Sequence, residues 1–329
     1  MIKLGDNTLE YGIMLAPMAG FSDRAMRLLC HEYGAEWLVT EMVSAKATVY
    51  RDKKTELLSR IYPDEGNVAL QIFGSEPEVM AEAAGILSLP VADGCAAPSA
   101  IDINMGCPVN KIFTNGEGSA LMKNPSLIYD IVRATVGATE LPVTVKLRIG
   151  VDENHINAIE CALAAEEGGA ELITVHGRTR VQMYSGEVNR EIIKNVKDSL
   201  HIPVIANGDI LSGADAVSML RETGADGVAI GRGAVGNPFI FSEVRAALSG
   251  EEYTEPTLAL RAECALRQLR LAAIDKGERI AVPEARKQIA SYLKGFRGAA
   301  TIRAAVNAAT SYTEVEEIIR TALGDEIGE

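Results

Sequence analysis

A strand-like run, Ala100-Ile101-Asp102-Ile103, stops abruptly at Asn104-Met105-Gly106-Cys107-Pro108. The run reads as a buried strand, and its end reads as a rigid loop that holds one thiol. A cysteine just past a strand end can serve as a proton donor or nucleophile; it can equally be a small apolar side chain packed beneath a turn. Lys146 follows the apolar run Val143-Thr144-Val145. A lysine at the end of a buried strand is costly unless it meets an anion or a carbonyl. His176 ends another apolar run and is followed by Gly177-Arg178-Thr179. That setting favours a site over a satisfied core imidazole. Gln71 closes a third run and is either a ligand-facing amide or a turn residue. His31, His155 and His201 fall on helices or connections and read as ordinary residues. No carboxylate–histidine cluster has metal-ligand spacing, so no metal is expected.

Two short glycine motifs, Asn207-Gly208-Asp209 and Gly231-Arg232-Gly233, follow the last two apolar runs. Each alone is an ordinary turn sequence. As a pair they suit a phosphate, because glycines let backbone N–H groups come close and Arg232 adds a charged fork. Together these residues describe a cofactor with a phosphate tail over the last two strands. Its ring would lie between Pro17, Gln71, Lys146 and His176, a shape that FMN fits.

Such residues need a scaffold that gathers strand ends. Apolar, β-rich runs recur at residues 12–16, 37–40, 68–72, 101–104, 143–147, 172–175, 203–206 and 227–230. Amphipathic stretches such as 77–87, 126–136, 156–167, 189–196 and 213–222 separate them. Eight strand-then-helix units predict a parallel sheet closed into a TIM barrel, whose chemistry collects at the C-terminal strand ends. An open doubly wound sheet fits less well, since no early G-x-G-x-x-G occurs. The barrel domain is expected to occupy residues 1–250, and the polar stretch 249–256 reads as a linker. Residues 251–329 form a small all-helical domain in this reading, with helices over 257–276, 282–293, 297–311 and 312–323.

The bulk numbers agree with a large globular protein. The 329 residues are 47% hydrophobic and 23% charged. No apolar run is long enough to span a membrane. Five scattered cysteines form no C-x-x-C pair, and the N-terminus lacks an apolar signal segment, which points to the cytoplasm. The net charge of −13 argues against a general nucleic-acid binder. Its distribution is uneven, however. From Arg261 to Arg303 ten Lys and Arg residues face four acids, a local net of +6.

Several motifs carry a resemblance to a known family. Ala16-Pro17-Met18-Ala19-Gly20-Phe21-Ser22-Asp23, Asn104-Met105-Gly106-Cys107-Pro108, Gly118-Ser119-Ala120-Leu121-Met122 and Val145-Lys146-Leu147-Arg148 occur in that order. They are followed by Val175-His176-Gly177-Arg178-Thr179-Arg180, Ala206-Asn207-Gly208-Asp209-Ile210, Gly231-Arg232-Gly233 and Tyr292-Leu293-Lys294-Gly295-Phe296. The chain resembles the bacterial tRNA-dihydrouridine synthases, most nearly the B-type subgroup, over nearly its whole length.

The resemblance implies an FMN enzyme that reduces the C5=C6 bond of a tRNA uridine, with NADPH as electron donor; a monomer is expected as the working unit. Ala16, Pro17, Met18, Gln71, Lys146, His176, Asn207, Gly208, Asp209, Gly231 and Arg232 would hold FMN. Asn104 would lie beside flavin and uracil, and Arg178 and Thr179 near the uridine or its backbone. Hydride would go to C6 and Cys107 would protonate C5. A thiol with a pKa of about 8.5 is mostly protonated at neutral pH yet gives up its proton readily. Lys146 and His176 would set positive charge near the flavin N1–C2 edge. The basic helical segment becomes an expected tRNA clamp, with Arg286, Lys287, Lys294 and Arg297 as phosphate contacts. The target base must leave its stack to be reached.

Overall fold

A computed structural model describes residues 1–295 and 297–327 of the chain; Phe296, the last residue of one family motif, lies outside them. The chain opens with an antiparallel hairpin, β1 (Ile2–Leu4) and β2 (Asn7–Leu9). The parallel strands follow: β3 (Ile13–Leu15), β4 (Trp37–Val39), a two-residue β5 (Val43–Ser44), β6 (Val68–Phe73) and β7 (Ala100–Met105). They continue with β8 (Val143–Arg148), β9 (Leu172–His176), β10 (Val204–Asn207) and β11 (Gly227–Ile230). β11 pairs with β3 and β4 pairs with β6, so eight strands close on themselves into a TIM barrel. β5 is an extra piece at the rim, paired only with the end of β6.

The wall of the barrel separates two sets of side chains, because successive residues of a strand face opposite sides. Leu70, Ile72, Ile101, Ile103, Val145, Leu147, Ile173 and Val175 face outward and pack under the helices. Met14, Trp37, Ala69, Ala100, Leu172, Ile205 and Ala229 face inward. Ile2, Leu4 and Leu9 of the hairpin join this inner set and close one end of the barrel. The inner apolar layer gives way along the strands to Gln71, Asp102 and Thr144, then to Asn104 and Lys146, and at the rim to His176 and Asn207. The same alternation that hides the apolar residues thus points the polar ones into the opposite mouth.

Helices cover the outside, several with side-chain caps that satisfy their first N–H groups. Asp23 caps Arg24–Glu32, Asn124 caps Pro125–Val136, Asn189 caps Arg190–Ser199 and Ser212 caps Gly213–Thr223. After the barrel come Leu258–Lys276, Glu278–Tyr292, Ala299–Ala308 and Tyr312–Ile327. The second of these begins four residues before the sequence pattern predicts and runs through Pro283. A proline there removes one backbone hydrogen bond, but Ala281, Val282, Ala285 and Ile289 stay on a single buried stripe. The third is shorter than predicted and starts after Gly298, which has φ +67°.

Helix Arg24–Glu32 joins the barrel to the helical segment. Its Met26 and Cys30 belong to the barrel core, whereas Ala25 packs with Leu266, Leu269 and Ile289. Lys276 pairs with Asp23 at 2.7 Å and Asp275 with Arg24 at 3.0 Å, and Arg267 binds Glu32. Part of the local positive charge is therefore spent on the barrel's own acids. Among the described residues, no helix is long and apolar enough to cross a membrane.

Candidate active site

The polar mouth of the barrel holds a cavity of about 620 Å³. Ala16, Pro17 and Met18 line one side, Gln71, Asn104, Cys107 and Lys146 the floor, and His176, Asn207, Gly208, Asp209, Gly231 and Arg232 the far side. The strand-end residues expected to gather around a flavin thus share one cavity. The cavity is also lined by Met42 and Arg148, at two further strand ends, and by residues that the sequence reading did not single out: Met183, Tyr184, Leu211 and, from the helical segment, Ser291.

Cys107 is 8% exposed, and its loop is clamped from several directions. Asn104 Oδ1 accepts from the backbone N–H of Cys107 at 2.9 Å and from that of Gly106 at 3.2 Å. Arg148 Nε donates to the Gly106 carbonyl at 2.8 Å. Ser119 donates to the Cys107 carbonyl through its hydroxyl at 2.8 Å and its backbone N–H at 3.2 Å. Gly118 must be glycine here: its φ is +59°, and a Cβ would lie 2.9 Å from the Cβ of Cys107. Burial pushes the Cys107 thiol up, against the pull of a backbone N–H and the charges of Arg148 and Lys146. The side chain therefore keeps its proton, and cations stand ready to stabilise the thiolate once it leaves.

Burial pulls Lys146 down to about 8, assisted by Arg148, while Asp102 and Cys107 pull the other way. Its ammonium remains charged at neutral pH. His176 differs from expectation. Burial, together with Lys146, Arg148, Arg178 and Arg232, drives its proton affinity far below the usual histidine range. Its charge is pressed down, so the positive charge at the cavity comes from Lys146, with Arg148 and Arg232 also on the lining.

Asp102 was no candidate in the sequence reading. It lies inside the barrel between its register partners Gln71 and Thr144. Thr144 Oγ1 donates to it at 2.5 Å and Gln71 Nε2 at 2.6 Å. Burial raises this carboxyl to about 6 against those hydrogen bonds and Lys146. The signal available in the sequence was the alternation Ile101-Asp102-Ile103-Asn104, which aims both polar side chains the same way.

Arg178 and Thr179 do not reach the cavity. Arg178 is 2% exposed and donates to the carbonyls of Ser185 (3.0 Å) and Gly186 (2.6 Å), and to both oxygens of Asp209. Thr179 is buried against Gln182, and its carbonyl accepts from Arg148. Both hold the loop that carries Met183 and Tyr184 to the cavity rim. Asp209 has φ +50°, and its carboxylate is shared by Arg178 and Arg232. Only its backbone is therefore left for an anion.

The four cations expected to meet RNA separate into two kinds. Arg286 is half-buried and donates to the carbonyl of Ala309, which makes it a brace within the helical segment. Lys287, Lys294 and Arg297 are exposed. Lys287 lies one turn before Ser291 on the same helix, Lys294 follows just past the helix end, and Ser291 lines the cavity.

The matches to known proteins follow the same outline. Residues 14–327 match the family model described as dihydrouridine synthase. The chain belongs to the dihydrouridine synthase family. It is 42% identical to the probable tRNA-dihydrouridine synthase of Rickettsia conorii over 321 residues, covering 97% of this chain and 95% of that protein. A probable tRNA-dihydrouridine synthase 1 of Synechocystis is 39% identical, covering 98% and 89%. tRNA-dihydrouridine synthase B of Pasteurella multocida is 38% identical, covering 95% and 93%. The family match spans both the barrel and the helical segment that follows it.

Proposed function

We propose that this family member reduces a uridine of tRNA to 5,6-dihydrouridine, with FMN as the redox group and NADPH as the electron donor. The observation that carries the proposal is the buried thiol of Cys107, held on a backbone clamped by Asn104 and Ser119 and lining the same cavity as Lys146. The residues present fit the flavin. The cavity volume lies within the range of cofactor sites, roughly 300–1,000 Å³. Gly231 leaves room that a side chain would take: a Cβ there would point between Met18 and Ala16, no closer than 3.6 Å to either. Arg232 and the backbone around Gly208 and Gly231 would hold the phosphate. Pro17, Gln71, Lys146 and His176 would hold the ring. When bound, reduced FMN supplies the hydride for C6 of uracil.

The chain's own groups then complete the reaction. Cys107 gives its proton to C5, which balances the hydride, and its thiolate is left beside Lys146 and Arg148. Lys146 keeps a positive charge at the cavity floor, where negative charge accumulates. His176 would offer a ring nitrogen as a hydrogen-bond partner, and burial with the surrounding cations presses its charge down. The base reaches the cavity only after leaving its stack, at a cost of a few kcal/mol that RNA contacts must offset. Exposed Lys287, Lys294 and Arg297 supply such contacts in this reading, and Arg286 shapes the surface beneath them. We assign catalysis to residues 1–250 and RNA docking to the segment after them, acting as a monomer in the cytoplasm.

The test is incubation of the purified protein with NADPH and tRNA lacking dihydrouridine, followed by nucleoside mass spectrometry. Dihydrouridine in the tRNA, with none formed from free uracil, is the expected result. Turnover of the free base alone would make this a small-molecule pyrimidine reductase. Tight tRNA binding without NADPH consumption would make it a binding protein.

A further inference from the structure

We propose that Asp102 is a positioning residue that fixes the direction of a chain of hydrogen bonds ending on the backbone of Cys107. The inference rests on the reading of Cys107 as the proton donor, and it adds a residue for which that reading has no use.

The chain runs along the barrel floor. Asp102 Oδ2 accepts from Gln71 Nε2 at 2.6 Å. Gln71 Oε1 accepts from Asn104 Nδ2 at 2.8 Å. Asn104 Oδ1 accepts from the N–H of Cys107 at 2.9 Å and that of Gly106 at 3.2 Å. Thr144 occupies the other carboxylate oxygen at 2.5 Å. All four side chains are buried.

A carboxamide has an accepting end and a donating end, and rotation exchanges them with little change of shape. Nothing intrinsic to Gln71 or Asn104 chooses one orientation. An ionised carboxylate only accepts, so Gln71 must turn its NH₂ toward Asp102. Its oxygen then faces Asn104, which must turn its own NH₂ toward Gln71. The oxygen of Asn104 is left for the loop. Asp102 thus governs a loop it does not touch. Its proton affinity, raised to about 6, leaves it ionised at neutral pH, as this role requires.

Asp102→Asn keeps the shape and removes the direction. With Thr144 donating to the oxygen of residue 102, an amide NH₂ faces the NH₂ of Gln71; with the amide reversed, its NH₂ faces the Thr144 hydroxyl, whose proton then loses its acceptor. If Gln71 rotates, the conflict passes to Asn104; if Asn104 rotates, it passes to the N–H groups of Gly106 and Cys107. A buried donor without an acceptor results wherever the conflict settles. Gln71→Glu in the same chain restores the order. The carboxylate then stands at position 71, where it accepts from the new amide at position 102 and from Asn104, and Asn104 keeps its oxygen on the loop.

The experiment follows alkylation of Cys107 by iodoacetamide in the full-length protein across pH, read by mass spectrometry of the Cys107 peptide. Half-buried Cys95 is the internal control. Asp102→Asn is expected to raise the high-pH plateau of the Cys107 rate about tenfold, the effect of one lost buried hydrogen bond, with Cys95 unchanged. A shift of the midpoint alone would report a purely electrostatic effect and overturn the proposal. Asp102→Asn/Gln71→Glu should return the plateau to within about twofold of wild type, since both donors regain an acceptor. Failure of this rescue, or a wild-type plateau in the single variant, overturns the proposal as well. If Asp102→Asn does not fold, recovery of a folded, protected protein in the double variant supports it, and no recovery sinks it. None of these readouts needs substrate, so loss of the proposed tRNA reaction is detected separately.

Discussion

Gly236 and Ser291 meet at the seam between the barrel and the helical segment. A Cβ on Gly236 would lie 2.5 Å from the Cβ of Ser291 and 2.5 Å from the carbonyl oxygen of Gln288. Gly236 also has φ +65°, so glycine is required there twice over: for backbone conformation and for the close approach of helix Glu278–Tyr292. This approach brings Ser291 to the cavity wall.

Gly236→Ala should therefore destabilise the protein by about 1–3 kcal/mol, combining backbone strain with a displaced helix. Denaturant unfolding measures the loss. tRNA affinity should fall in step, while bound flavin stays at its wild-type level. An unchanged unfolding midpoint would show that the helix yields without cost.

Charge reversal at Lys287 and Lys294 should weaken tRNA binding without altering flavin reduction. Each phosphate interaction removed is expected to lower the slope of log affinity against log salt by about one. Binding measured across a salt series is the check. A slope equal to wild type in Lys287→Glu/Lys294→Glu would remove both residues from the RNA interface.

Cys107→Ala should accept hydride from NADPH at the wild-type rate and form dihydrouridine about 10²–10⁴ times more slowly, the usual worth of a positioned acid. Stopped-flow absorbance of the flavin and mass spectrometry of the tRNA separate the two half-reactions. Wild-type product formation would assign the proton to another donor.

His176 predicts a specific acid sensitivity. The unfolded chain takes up a proton at this residue below about pH 6.5, whereas the folded protein holds it neutral. The associated stability is fully present above that pH and declines as pH falls, by up to about 1.4 kcal/mol per pH unit. Asp102 titrates in the opposite sense between its usual 3.8 and about 6, so variants must be compared at matched pH. His176→Gln should show a shallower loss of stability than wild type between pH 6.5 and 5. Parallel curves would mean that the imidazole charges freely in the fold.

The barrel was legible in the sequence because its evidence is local. Each β-then-α unit carries its own apolar run and its own helical spacing, and eight in succession leave a closed sheet as the natural architecture. Cys107, Lys146, His176 and the two glycine motifs stood out for the same reason: each ends a buried run. The edges of that legibility are also physical. The helix expected from Val282 starts at Glu278 and runs on through Pro283, because a buried stripe on the same helix outweighs one missing hydrogen bond. Arg178 and Thr179 sit in a motif beside the site, yet their side chains turn inward to hold a loop. Spacing along a chain does not say which way a loop residue points.

The sequence by itself determined the type of barrel, the set of strand ends and the identity of the candidate acid, since these follow from periodicity and residue chemistry. Only the tertiary structure decided what depends on neighbours distant in the chain. His176 is neutral because burial and four cations surround it. Asp209 is committed to two arginines. The direction of the amides beneath Cys107 is set by a carboxylate in the barrel interior. Charge state and hydrogen-bond direction belong to an environment, and the environment exists only once the sheet has closed.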